Sequence, residues 1–129
     1  MNIGQAAKAS GVNAKLIRHY ESIGLIPRAS RTDAGYRTYD LADVNVLTFV
    51  RRSRSLGFSM KEIKKLLSLW KNKARASAEV KSLAEKHMHS LEEKILELQA
   101  MRDSLRHLAK SCHGDARPAC PILEGLERS

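Results

Sequence analysis

Cys112 and Cys120 are the only cysteines in the 129-residue chain, and they bracket the turn-rich loop His113-Gly114-Asp115-Ala116-Arg117-Pro118-Ala119. Thiolates are soft donors that prefer Cu(I), zinc and related ions over hard cations. Structural zinc usually demands four ligands drawn from close pairs. Two sulfurs separated by seven residues suit instead one monovalent d¹⁰ ion, Cu(I), Ag(I) or Au(I), held nearly linearly. Gly114 and Pro118 would set the bends of such a loop. Pro121-Ile122-Leu123-Glu124-Gly125-Leu126 reads as a short helix whose apolar face packs back over it. Three other chemistries stay open on these residues. One is a Cys112–Cys120 disulfide acting as a redox switch. Another is a thiol nucleophile served by the adjacent His113, for which no companion acid or substrate pocket is visible. The third is a divalent-ion site recruiting His113, His107 or Asp115.

The elements that must position this loop are helical. Aromatics make up 5% of the chain and charged residues 29%, a balance that favours helices over a sandwich or barrel. No apolar run approaches the roughly 20 residues that span a bilayer, and no secretory pattern opens the chain. The expected setting is the cytoplasm, where thiols stay reduced. Charge is divided unevenly: residues 1–75 hold 15 of the 23 basic and 5 of the 14 acidic side chains, a net +10, while the remainder nets −1. A basic front half points to a polyanion, with DNA favoured over a membrane surface.

In residues 1–10, Ile3, Ala6, Ala7 and Ser10 are spaced for one helix face. Gly11-Val12 breaks the pattern and Asn13 is a good cap for a second helix from Ala14 to about Ile23. Leu16, Ile17 and Tyr20 fall together there, leaving Lys15, Arg18, His19 and Ser22 outward. Two short helices across a Gly-containing turn make a helix-turn-helix candidate, or else an ordinary helical hairpin with a solvated basic face. Pro27 ends the second helix. Asp33-Ala34-Gly35 is a turn signal before the β-favouring run Tyr36-Arg37-Thr38-Tyr39. A small hairpin there would project Arg28, Arg31, Tyr36 and Arg37 as a wing that meets phosphates.

Asp40 caps a helix running to about Ser55, and Ser59 with Glu62 forms a capping box for the next, which is expected to bury Ile63, Leu66, Leu67 and Trp70. Arg51, Arg52 and Arg54 are further phosphate candidates, each weighed against a plain solvated charge. After the polar connector 71–76, a helix over 77–110 would be about 50 Å long. It carries one heptad series at Ser77, Ala84, Leu91, Leu98 and Leu105 and another at Val80, His87, Lys94, Met101 and Leu108, widened by Met88 and Ile95. That is a coiled-coil seam, and an exposed helix of this length requires a partner, hence a homodimer. His87 reads as a packing residue of the seam, and Ser77 as the helix cap.

The segments Ile17-Arg18-His19-Tyr20-Glu21, Gly24-Leu25-Ile26 and Gly35-Tyr36-Arg37-Thr38-Tyr39 resemble the N-terminal signature of MerR-family transcriptional regulators. The resemblance implies a mostly α fold: a winged helix-turn-helix over 1–70, an antiparallel coiled-coil dimerisation helix over 77–110, and a metal-binding loop with a short helix over 111–129. It implies DNA contacts from Lys15, Arg18 and His19 on the recognition helix and from Tyr36 and Arg37 on the wing, which Arg31, by its place in the hairpin, and Arg54, in support, are expected to join. His19 stands where many relatives carry an aromatic residue.

Leu98-Gln99-Ala100-Met101-Arg102-Asp103 and Cys120-Pro121-Ile122-Leu123, with the cysteine pair, are similar to the copper-efflux-regulator branch of that family. Relatives that sense divalent ions draw a cysteine from the partner chain at the start of the dimerisation helix, where this chain has Ser77. That difference favours one Cu(I), Ag(I) or Au(I) per loop, with Ser77, His113 and Pro118 tuning selectivity. The implied function is not enzymatic. It is metal-responsive activation of resistance or efflux genes, through a dimer that bends and undertwists double-stranded promoter DNA so that RNA polymerase can engage it, without any membrane partner. A divalent-metal or thiol-redox sensor on the same frame is the alternative.

Overall fold

A computed structural model describes residues 1–74, 76–116, 118 and 120–128. Arg75 of the expected connector, Arg117 and Ala119 of the thiol loop, and Ser129 lie outside the described residues. The chain divides into two compact units, Met1–Val80 and Lys81–Ser129.

In the first unit, helix α1 (Ile3–Ser10) starts under a capping box: the Asn2 side chain accepts from the Gln5 N–H, and the Gln5 side chain accepts from the Asn2 N–H. Asn13 caps α2 (Ala14–Ser22) by accepting from the Leu16 N–H at 2.8 Å. Each cap satisfies N–H groups that the helix itself leaves open. The turn between them needs Gly11. Its φ is +77°, and a Cβ there would lie 2.9 Å from Nε of Arg51, so both handedness and space exclude a side chain.

Helix α3 (Leu41–Ser55) is capped by Asp40 and Asp43, and α4 (Met60–Lys71) by Ser59 and Glu62. The carboxylate in each first turn, Asp43 and Glu62, suits the positive N-terminal end of the helix dipole. Helix α1 packs on α2 and α3, and α3 on α4. Their shared core gathers Ala6, Ile17, Tyr20, Leu47, Val50 and Ile63, all essentially fully buried.

Between α2 and α3, strand β1 (Ser30–Arg31) pairs antiparallel with β2 (Arg37–Thr38), in the register Ser30 to Thr38 and Arg31 to Arg37. Gly35, at φ +86°, closes the hairpin. The Thr32 N–H donates to the Tyr36 carbonyl at 2.8 Å, and Arg31 Nη1 donates to the Gly35 carbonyl at 2.8 Å. The wing is therefore fastened by its own backbone and by one of its arginines.

Two side chains depart from expectation. Trp70 is 40% exposed rather than buried, and Leu69 takes the interior place. The indole stacks flat on Phe49 at 4.5 Å between ring centroids, so aromatic pairing at the surface replaces burial. Arg51 is a structural residue: its Nε donates to the Ser10 carbonyl at 2.9 Å, fastening α3 to the end of α1.

Helix α5 (Ser77–Ser111) runs for 35 residues and continues into the second unit. Ser77 is its first helical residue, so the cap position falls one residue earlier than expected. Within the helix His87 is buried, while Met88, Leu91, Ile95, Leu98, Met101 and Leu105 are exposed. Their spacing of three or four residues makes a continuous apolar stripe, the pattern of a coiled-coil seam. Helix α6 (Pro121–Glu127) begins on proline, which gives up no needed N–H at that position. Gly125 is its close-contact residue: any Cβ there would run into the Leu108 side chain of α5.

No described helix is long and apolar enough to cross a membrane.

Candidate functional site

Helix α2 presents Lys15, Arg18 and His19 to solvent because Ile17 and Tyr20 face the core. The period of 3.6 residues places the basic positions opposite the buried ones. On the wing, Tyr36 is 74% exposed at the hairpin tip, while Arg37 is half-buried. Arg18, Arg28, Arg31 and Arg37 line one cleft of about 290 Å³ between α2 and the wing, together with Glu21. The structure thus brings together Arg18 of the helix and Arg28, Arg31 and Arg37 of the expected wing set. Lys15, His19 and Tyr36 do not line that cleft. Arg54 is tied to the same helix from behind: its Nη1 donates to the buried Tyr20 hydroxyl at 2.7 Å.

Glu21 is the residue that sequence reasoning left without a role. It is buried, and its Oε1 accepts from the Tyr39 hydroxyl at 2.5 Å. Its Oε2 faces Nε of Arg37 at 3.6 Å. Burial, with the hydrogen bond to Glu21 adding to it, pushes the Tyr39 hydroxyl up to about 12, so it remains a donor at any working pH. The available signal was the one acidic residue in the basic segment Ala-Lys-Leu-Ile-Arg-His-Tyr-Glu-Ser of α2.

In the second unit Cys112 follows the last residue of α5, and Cys120 immediately precedes α6. Both thiols are free, partly buried, and 3.9 Å apart at sulfur. That is far beyond the ~2.05 Å of a disulfide, yet close enough for one ion to touch both. The Cys120 side chain forms no cap hydrogen bond with α6. Even so, the Leu123 N–H, followed by the Ile122 N–H and the Cys112 thiol, holds Cys120 below the ordinary thiol range against the opposing effect of burial. A helix N-terminus favours thiolate in this way.

Among the described residues no group of three or more His, Cys, Asp or Glu converges where it could hold a metal. His113, His107 and Asp115 do not gather with the two sulfurs into such a group. His113 and Pro118 are exposed. The donor set is two soft sulfurs, and it fits a thiophilic ion of low coordination number.

A basic helix-turn-helix with a two-stranded wing, continued by a long helix with an open apolar seam, is the architecture of a winged DNA-binding regulator. Residues 1–70 match the MerR HTH family regulatory protein model, and residues 44–108 match the MerR DNA-binding model. The chain belongs to the MerR family. It is 56% identical over 126 residues to heavy metal-dependent transcription regulator 2 of Rhizobium meliloti, covering 98% of this chain and 86% of that protein. It is 42% identical over 126 residues to the transcriptional regulator CueR of Salmonella typhimurium, covering 98% of this chain and 91% of that one. Among solved structures, PbrR691 of Ralstonia metallidurans in complex with lead(II) superposes with a TM-score of 0.84 at 32% identity, over 98% of both chains.

Proposed function

We propose that this chain is a homodimeric transcriptional activator that senses Cu(I), Ag(I) or Au(I) through Cys112 and Cys120 and remodels promoter DNA. The observation that carries the metal reading is the sulfur pair 3.9 Å apart, with no third metal-binding side chain gathered beside it among the described residues. Two thiolates neutralise a monovalent ion with one negative charge to spare. A divalent ion would call for more donors than this chain assembles. Bound there, the ion would supply a bridge between the two sulfurs.

Cys112 follows α5 and Cys120 precedes α6, so an ion held by both sulfurs would fasten the end of α5 to the start of α6, beside the close approach of Gly125 to Leu108. The exposed stripe from Met88 to Leu105 pairs with a second copy. That pairing gives two recognition helices for the two halves of a near-palindromic site. A change at the loop shifts the population of dimer conformations rather than creating DNA binding. The dimer bends and undertwists the promoter, and RNA polymerase then finds its two elements in register. Ser77, at the first position of α5, leaves the site with two sulfurs, and the exposed His113 and Pro118 tune which monovalent ion is preferred.

Anaerobic X-ray absorption of the Cu(I)-loaded protein, with Zn(II) competition, tests the metal reading. The expected result is a shell of two sulfurs, no nitrogen and weak Zn(II) binding. Three or four ligands including nitrogen, or tight Zn(II) binding, would move the function to a divalent sensor.

For the DNA face, Arg18→Ala is expected to weaken operator binding by about tenfold even without metal, the order of one lost charge-assisted contact. Fluorescence anisotropy on a labelled duplex reads it. Unchanged affinity would remove α2 from the groove.

A further inference from the structure

The cleft between α2 and the wing holds four arginines, and the chain supplies its own anion there. Glu21 sits in the last turn of α2, buried, with both carboxylate oxygens engaged by the wing side: Oε1 by the Tyr39 hydroxyl at 2.5 Å and Oε2 by Arg37 Nε at 3.6 Å. A carboxylate buried among cations is stabilised by them, and in return it lowers the repulsion that four guanidinium groups exert on one another in a space of about 290 Å³. The ion pair uses the inner nitrogen of Arg37. The two terminal nitrogens of a guanidinium remain for a second acceptor, in the fork geometry that fits a phosphate. The side chain of Arg37 is 34% exposed and that of Glu21 is 6% exposed, so the arginine reaches solvent while its counter-ion does not.

We propose that Glu21 is a positioning residue for DNA recognition, a built-in counter-ion that holds Arg37 and the wing at a fixed distance from the recognition helix before DNA arrives. The proposal rests on the DNA-binding reading of α2 and the wing and adds to it the element that pre-organises them. A wing held in place engages only DNA whose phosphates match the spacing between helix and wing. A released wing engages any duplex by charge alone. Removing the carboxylate therefore has opposite consequences for the two kinds of DNA. Matched DNA loses a pre-formed fit, and unmatched DNA meets a wing carrying one more net positive charge.

The test uses the full-length chain, a duplex recovered by in vitro selection from a random pool, and a scrambled duplex of equal length, each titrated over a range of salt concentrations. Glu21→Gln keeps the shape and an oxygen acceptor for Tyr39 but removes the charge. It is expected to bind the selected duplex about tenfold more weakly, and the scrambled duplex equally or a few-fold more tightly. In an Arg37→Ala background the same Glu21→Gln change is expected to have no further effect on discrimination, because its target is gone.

Equal weakening on both duplexes, or an undiminished Glu21→Gln effect without Arg37, would overturn the proposal in favour of a general packing role. Unchanged discrimination in Glu21→Gln would overturn it as well. Parent protein that fails to distinguish the two duplexes would instead sink the DNA-binding reading, an outcome visible before any variant is made. Tyr39→Phe, which removes the hydroxyl and leaves the ion pair, is expected to change discrimination by less than threefold. A loss as large as that of Glu21→Gln would assign the role to Tyr39 instead.

Discussion

Replacing Cys112 or Cys120 with serine is expected to abolish metal-dependent transcription while leaving operator affinity within a few-fold of the parent protein. A serine hydroxyl is close in size and keeps the loop, but it is a hard donor that does not ionise near neutral pH, so soft-ion binding is lost with one of only two thiols. The N–H groups of Leu123 and Ile122 at the start of α6 favour a thiolate at position 120, and serine has none to offer them. Both cysteines belong to the unit Lys81–Ser129, whereas Lys15, Arg18 and the wing belong to Met1–Val80. In vitro transcription with and without Cu(I), run beside anisotropy on the same duplex, separates the two properties. A tenfold or greater loss of DNA affinity in the metal-free serine variants would contradict this division of labour.

The second large effect is on stability. Leu47→Ala is expected to cost about 2–5 kcal/mol, the range for truncating a buried leucine where the surroundings cannot collapse. Leu47 is 0% exposed and lies on α3, the helix against which α1 and α4 both pack. A unit of this size has a total stability of only about 5–15 kcal/mol, so the variant should melt far below the parent and lose DNA binding through unfolding. Leu41 lies six residues earlier on the same helix and is 67% exposed. Its alanine variant is expected to change stability by less than about 0.5 kcal/mol. Chemical denaturation of the two variants side by side is the measurement. Similar midpoints would mean that α3 is not the central helix of this core.

Much of the fold is legible locally. Asn13, Asp40 and the Ser59–Glu62 box are short-range hydrogen-bonding devices, so they mark the starts of α2, α3 and α4 without any knowledge of the tertiary structure. The alternation of apolar and basic residues in α2 likewise sorts Ile17 and Tyr20 from Lys15, Arg18 and His19, since only the helical period is needed. The heptad series of α5 announces a long helix with one apolar face, and Pro121 announces α6. The MerR signature carries the family in its residue types and spacing.

Other features depend on which side chains meet across the fold. Trp70 reads as core by its size and periodic position, yet the interior of α4 is filled by Leu69, and the indole finds Phe49 at the surface instead. Arg51 and Arg54 read alike, as basic positions on α3. One is committed to the Ser10 carbonyl and the other to the Tyr20 hydroxyl, 41 and 34 residues away in sequence.

Glu21 is the sharpest case. By composition it is one acid in a basic helix, and only the return of the chain through β2 brings Arg37 and Tyr39 onto its two oxygens. The sequence by itself determined the helices, their caps, the basic face and the two-sulfur composition of the thiol loop, because periodicity, capping and donor type are properties of neighbouring residues. The tertiary structure alone decided how each charge is partnered and how far apart the two sulfurs lie, because those depend on distances between segments that no local pattern encodes.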